Sequence, residues 1–180
     1  MRTAFSRLAL SILLTALCLT GVASSPALAD AGAGAATVAS EDKRFIDHGN
    51  QTVTDTRSGL MWQKNDSYLR THHWLSWDEA ADYIQKLNRE AFAGFIDWRL
   101  PTLEELKTLY EADKVNSKQI GREMVIHIDP IFGREGSGAH WSSEPNGHFN
   151  AFGVVFNTGD QFSAPKSARS RKSIRAVRQP

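Results

Sequence analysis

Cysteine is all but missing from these 180 residues: Cys18 is the only one. It falls in an amino-terminal stretch, residues 1–29, that reads as a secretory signal peptide. Arg2 and Arg7 form a short basic start, and Leu8 to Leu19 is an apolar run broken only by Ser11 and Thr15. Ala27-Leu28-Ala29 then places small residues at both specificity positions, so cleavage is expected before Asp30. The mature chain would hold no thiol, which excludes disulfides, thiolate metal sites and a cysteine nucleophile. Lipidation of Cys18 would need a small residue before it, and Leu17 stands there. Long apolar runs are missing too. Leu8–Leu19 is shorter than the roughly 20 residues that span a bilayer, and no transmembrane segment is expected in the mature chain. The expectation is an exported protein of the periplasm, the cell surface or the medium.

An excess of one charge is the third absence. Lys and Arg number 21 against 20 Asp and Glu, a formal charge of +1 that removal of Arg2 and Arg7 takes to −1. Such a balance argues against wholesale nucleic-acid binding. Catalytic signatures are lacking as well. There is no G-x-S-x-G elbow and no serine visibly matched with a base, so no enzyme is expected.

Residues 30–43 begin with an Ala/Gly-rich stretch (DAGAGAATVAS) and read as a flexible tether. A single domain is expected over residues 44–180. Its clearest segment is Asp97 to Leu106, DWRLPTLEEL. Polar and apolar residues alternate into Leu100 as in a strand, and Pro101 ends it because it has no N–H for a ladder. Thr102 and Glu105 form a capping box, and Leu103, Leu106, Leu109 and Tyr110 make one apolar stripe. This predicts a strand over 94–100 and a helix from Leu103 to about Ala112. Ser76 and Glu79 form a second capping box ahead of a helix over 76–88. Short strands are expected at Thr52–Thr54, Leu60–Gln63, Trp141–Ser143, Phe152–Phe156 and Ile174–Val177, with turns at Gly49-Asn50, Thr56–Gly59, Pro145–Gly147 and Asn157–Asp160. Asp113–Arg122 reads as a polar loop. Hairpins, two helices and further hairpins predict an α+β domain.

The order of GLMWQK (59–64), LSWDEA (75–80), DWRLPTLEEL, IDPIF (128–132), HWSS (140–143) and IRAVR (174–178) resembles the Lcl C-terminal domain family over roughly Arg44 to Arg178. The resemblance implies a C-type-lectin-like fold, two helices flanking small antiparallel sheets, without disulfides and with the chain ends close together. It also implies a secreted or cell-surface bacterial protein. The best-understood relative is the carboxy-terminal part of a collagen-like adhesin that binds sulfated glycosaminoglycans. This chain has no Gly-X-Y tract, and so lacks the stalk that would trimerise and project the domain. Formylglycine-generating enzymes have a related fold but depend on cysteines this chain does not have.

Two groups of residues are candidates for ligand binding. Lys166, Arg169, Arg171 and Lys172 lie among Ser and Ala in a carboxy-terminal stretch that has no acid from Ser163 to the end. Arg presents a planar fork and Lys a point charge to sulfate or phosphate. Surface solvation is the competing reading. Glu144 and Asn146 of the EPN tripeptide carry the oxygen chemistry of a calcium–carbohydrate site, and calcium is the one cofactor they suggest. No Trp-Asn-Asp partner follows, and a plain turn is the reading adopted. His72-His73 is read as polar loop, Asp97 and Arg99 as a structural ion pair, and Trp74 as the most exposed tryptophan. The function expected is a non-enzymatic binding module for anionic or sulfated glycan or another envelope component. The alternative is a structural or protein-interaction subunit of the cell envelope.

Overall fold

The computed structural model describes residues 36–180; the expected signal peptide and the first part of the expected tether lie outside them. Small antiparallel sheets with few helices make up the fold. The first sheet contains Val38–Ala39 (β1), Phe45–Asp47 (β2), Thr52–Asp55 (β3) and Met61–Gln63 (β4), with the carboxy-terminal Val177–Arg178 completing the order β1-β2-β3-β4-β10. Its β2–β3 and β3–β4 hairpins turn where local chemistry directs. Asp47 Oδ1 accepts from the Gly49 N–H at 2.9 Å, and Asp55 Oδ1 accepts from the Arg57 N–H at 2.9 Å. These are Asx turns, in which a short carboxylate stands in for a backbone carbonyl.

Ser67–Thr71 (α1), Ala80–Arg89 (α2) and Leu103–Thr108 (α3) follow, so a third helix joins the two expected. Ser117–Lys118 (β5) and Val125–Ile126 (β6) make a two-stranded ribbon, β5 inside the stretch read as loop and β6 just beyond it. The last sheet is Ala139–Asn146 (β7), Asn150–Val155 (β8) and Gln161–Pro165 (β9). Val177–Arg178 (β10) pairs with β4, Val177 opposite Trp62.

Both capping boxes form. Thr102 Oγ1 accepts from the Glu105 N–H at 3.1 Å and Glu105 Oε2 from the Thr102 N–H at 2.8 Å. α3 nevertheless ends at Thr108 rather than Ala112, because the chain is taken by other partners there. The buried Arg44 guanidinium donates to the Thr108 carbonyl at 2.8 Å while also bonding Asp55 and Glu111, placing a cation at the helix's negative end. The Ser76–Glu79 box is in place too (2.9 Å from the Ser76 N–H to Glu79 Oε2), but regular α geometry begins only at Ala80. The N–H groups of Trp77 and Asp78 go instead to the carbonyl of Lys166.

The strand expected over 94–100 shrinks to a single bridge, Arg99 with Val177. Asn88 holds the segment from the side, its amide bonding both the N–H and the carbonyl of Trp98 at 2.8 and 2.9 Å. The expected Asp97–Arg99 pair does not form. Asp97 takes Arg178 (2.7 Å) and Arg99 takes Glu105 (2.7 Å), and each carboxyl is held below its ordinary pKa by its arginine. Val38 and Ala39, within the segment read as tether, pair with β2, and Lys114 ties Asp42 to Asp129.

Two apolar clusters fill the interior. Phe45, Trp62, Leu106, Leu109, Phe132 and Phe156 belong to one, and Tyr83, Leu87, Trp98, Trp141 and Ile174 to the other. The segment 173–177 is buried along its whole length and passes between them. Ser173 exchanges backbone bonds with Ala139 and Trp141 of β7, and Val177 does so with Arg99. IRAVR is therefore a strap linking the sheets, with regular strand only at Val177–Arg178, where a strand over Ile174–Val177 was expected.

Candidate functional site

The four basic residues share one loop after β9, yet the structure gives them different occupations. Lys166 Nζ donates to the His148 carbonyl at 3.0 Å and sits 4.9 Å over the Trp77 ring. Arg169 makes a two-pronged pair with Glu79 at 3.0 and 2.6 Å. Lys172 lies 5.6 Å over Trp141 and 5.7 Å over Phe162, and burial pushes its ammonium below the ordinary lysine pKa. Arg171 alone of the four has no side-chain partner among the described residues. It is exposed and holds a left-handed backbone at φ 55°. Its carbonyl is fixed by the Ser137 hydroxyl at 2.8 Å.

Arg171 and Lys172 open onto a concavity of about 340 Å³ beside the last sheet. Phe162, Val155 and Ala164 supply apolar surface, and Gln119, Asn157, Ser163 and Ser170 supply polar groups. Not one carboxylate lines it. Gln119 is only 6% exposed, yet its side-chain amide has no hydrogen-bond partner among the described residues. The amide therefore opens onto the concavity, where a ligand takes the place of water as its partner. Gly138 makes the arrangement feasible. A Cβ there would overlap Gln119 Oε1 and stand 2.6 Å from Asn157 Oδ1. Asn157 cannot easily withdraw, since its amide donates to the Val125 carbonyl at 2.6 Å. Sequence reasoning found the cations but missed Gln119, Gly138 and Asn157, whose neighbourhood in the chain carries no signal of a site.

The sequence matches the family model of the Lcl C-terminal domain over residues 51–178. The chain belongs to that family. No curated protein matches it. Every residue of the concavity lies inside the matched part of this Lcl C-terminal domain.

The EPN tripeptide of the domain forms the end of β7, with the hairpin turn at Gly147 just after it, so the plain-turn reading is displaced by one step. Both Glu144 oxygens accept from the Leu103 N–H at 2.9 Å, capping α3, and Asn146 donates to Ser163 Oγ at 2.9 Å. The two side chains thus serve different neighbours. Among the described residues no three His, Asp or Glu gather as metal ligands.

The strongest electrostatic perturbations of the Lcl C-terminal domain lie in its interior. Asp66 caps α1 through Leu69 (2.9 Å) and accepts from the Ser137 N–H (2.8 Å) and His140 Nε2 (3.3 Å). Burial alone would raise its carboxyl, but the His140 hydrogen bond and the Arg175 charge outweigh it and the pKa falls. Burial also keeps His140 neutral, pushing its pKa down. Arg175 donates to the carbonyls of Gln63 and Lys64 and lies 4.9 Å over Phe132. None of these three lines an open cavity, so they lock the strap to α1 and β7. A wider groove of about 600 Å³ runs between α1 and α2, but it mixes Arg70, Lys86 and Arg89 with Glu79 and Asp82, and Arg70 and Lys86 lie 3.7 and 3.8 Å from the Glu90 carboxylate.

Proposed function

We propose that this Lcl C-terminal domain is an exported, non-enzymatic binding module, C-type-lectin-like in architecture, that recognises anionic or sulfated glycan through Arg171 and Lys172. The observation that carries the reading is the acid-free concavity with two cations at its rim and the Gln119 amide, without a protein partner among the described residues, in its lining. A sulfate there would meet a guanidinium fork, an ammonium and neutral amide and hydroxyl donors, each charge-assisted bond being worth about 1.5–3 kcal/mol. The signal-peptide reading of residues 1–29 supports delivery to the envelope or beyond. The buried Asp66, His140 and Arg175 stand away from the concavity and are spent on internal contacts, which supports a binding role over catalysis. Calcium has no part in this mode of recognition, because Glu144 and Asn146 are engaged by Leu103 and Ser163.

Heparin and chemically desulfated heparin distinguish sulfate recognition from generic polysaccharide retention. Wild type is expected to bind heparin at low salt, where the Debye length is about 10 Å or more, and to elute as salt rises. The Arg171→Ala, Lys172→Ala double variant is expected to elute much earlier. Equal retention of the two proteins would overturn the reading.

A second reading, recognition of an envelope protein, draws on Phe149. It stands 84% exposed at the tip of the β7–β8 hairpin, a placement that suits an aromatic anchor. Crosslinking of intact envelopes with a photoreactive residue at 149 tests it, and absence of any adduct would set it aside.

A further inference from the structure

The domain's five tryptophans are not alike. Trp77, Trp98 and Trp141 each donate an indole N–H to a backbone carbonyl, and Trp62 is wholly buried. Trp74 is half-buried, and its indole N–H reaches no protein acceptor among the described residues. Tyr68 covers one of its faces in a parallel stack, 4.0 Å between centroids and 18° between planes. That stack joins the first turn of α1 to the loop before α2 and fixes which face of the indole is open. The remainder of Trp74 lines an open concavity of about 380 Å³ with Glu79 and Arg169. The Glu79–Arg169 pair is two-pronged; Glu79 Oε2 also accepts from the Ser76 N–H and hydroxyl, so what stays open is Oε1, with one bond, and three of the five guanidinium N–H groups.

From this geometry we infer a second binding site in which a neutral pyranose stacks on Trp74 and hydrogen-bonds to Glu79 and Arg169. A pyranose presents weakly positive C–H groups to the negative face of an indole, and its ring hydroxyls are both donors and acceptors. The paired carboxylate accepts from one hydroxyl while the guanidinium donates to its neighbour, the complementarity that a two-pronged ion pair supplies. Net charge at the pair is zero, so a sugar without sulfate suits it. This site does not depend on the cationic concavity. The same loop serves both, because Arg169 and Arg171 are two residues apart, with Cα atoms at most about 7 Å from each other.

The test uses the indole N–H resonance of Trp74 in the mature protein labelled at tryptophan nitrogen, identified by its absence from Trp74→Phe. Neutral hexasaccharides of glucose, mannose, galactose and N-acetylglucosamine are titrated to about 10 mM, enough to populate millimolar sites. At least one is expected to move the Trp74 resonance, with the shift unchanged between about 50 and 500 mM NaCl and in Arg171→Gly. Arg169→Gln and Trp74→Ala are expected to weaken that sugar about tenfold or more. The inference is overturned if no neutral hexasaccharide moves the resonance, or if Trp74→Ala binds as wild type. A heparin fragment that alone moves it, and loses the effect at high salt, also overturns it.

Discussion

Arg171→Gly separates stability from binding at one residue. A non-glycine residue in the left-handed region costs about 1–2 kcal/mol, and Arg171 sits there at φ 55°. Glycine removes that cost but gives back about 0.4–1 kcal/mol through the greater freedom of its unfolded chain. The net is a gain of roughly 0.5–1 kcal/mol, since the Arg171 side chain has no internal partner to lose. For a domain of this size that is about 1–4 °C in melting temperature. Binding should move the other way. Losing the charge-assisted bonds of one guanidinium, about 1.5–3 kcal/mol, weakens heparin affinity roughly 10- to 150-fold.

Calorimetry with and without a heparin fragment reads both effects in one instrument. Arg171→Ala is the control: it keeps the backbone strain and removes the charge, so its binding should fall as far while its melting temperature stays put. Arg169→Ala should affect heparin binding only a few-fold, because that guanidinium is already committed to Glu79. A Gly variant that binds heparin like wild type would refute the assignment of the concavity. One that is destabilised by about 1 kcal/mol or more would show that strain at Arg171 is offset by a structural contact.

Three further outcomes are expected. Gly138→Ala should cost about 1–3 kcal/mol in urea denaturation and reduce heparin binding, because the new methyl displaces Gln119 and presses on the anchored Asn157; an unchanged midpoint and affinity would contradict the packing described. Stability should fall with acid. His140 and Asp66 are both depressed in the folded state, so only the unfolded chain takes their protons. The loss begins as pH drops through about 6.5 for His140, continues below about 4 for Asp66, and approaches 1.4 kcal/mol per pH unit per group. His140→Phe should remove the limb near 6.5, and a wild-type profile flat from pH 7 to 5 would refute the buried neutral histidine. Glu144→Gln should destabilise by about 0.5–2 kcal/mol through the weakened α3 cap, with heparin binding and indifference to calcium unchanged; calcium-dependent binding lost in this variant would reinstate the lectin-type site.

The local punctuation of the chain was legible wherever a signal and its partner lie within a few residues. Thr102 with Glu105, Ser76 with Glu79, and the turns at Gly49-Asn50 and Thr56–Gly59 all formed, the two turns held by Asp47 and Asp55, because a short side chain reaches only the backbone next to it. Lengths were less legible. α3 was expected to run to Ala112 on its apolar stripe, but Arg44, 64 residues upstream, claims the Thr108 carbonyl. β9 was missed altogether. Gln161–Pro165 alternates exposed and half-buried residues and carries only Phe162 as a bulky apolar group, a weak strand signal that pairing with β8 made sufficient.

By itself, then, the sequence determined a cysteine-poor α+β domain, its family, its turns and helix starts, and a loop rich in cations. Which cations are available was decided only by tertiary structure. Arg169 is neutralised by Glu79, 90 positions away, while Arg171, two residues further on, is left free. Gln119, Gly138 and Asn157 likewise meet only where the end of β8 lies against the ribbon, Asn157 donating to the Val125 carbonyl and the His127 N–H to the Phe156 carbonyl. Such meetings depend on loop closures and burial spread over the whole chain. No window of a few residues records them.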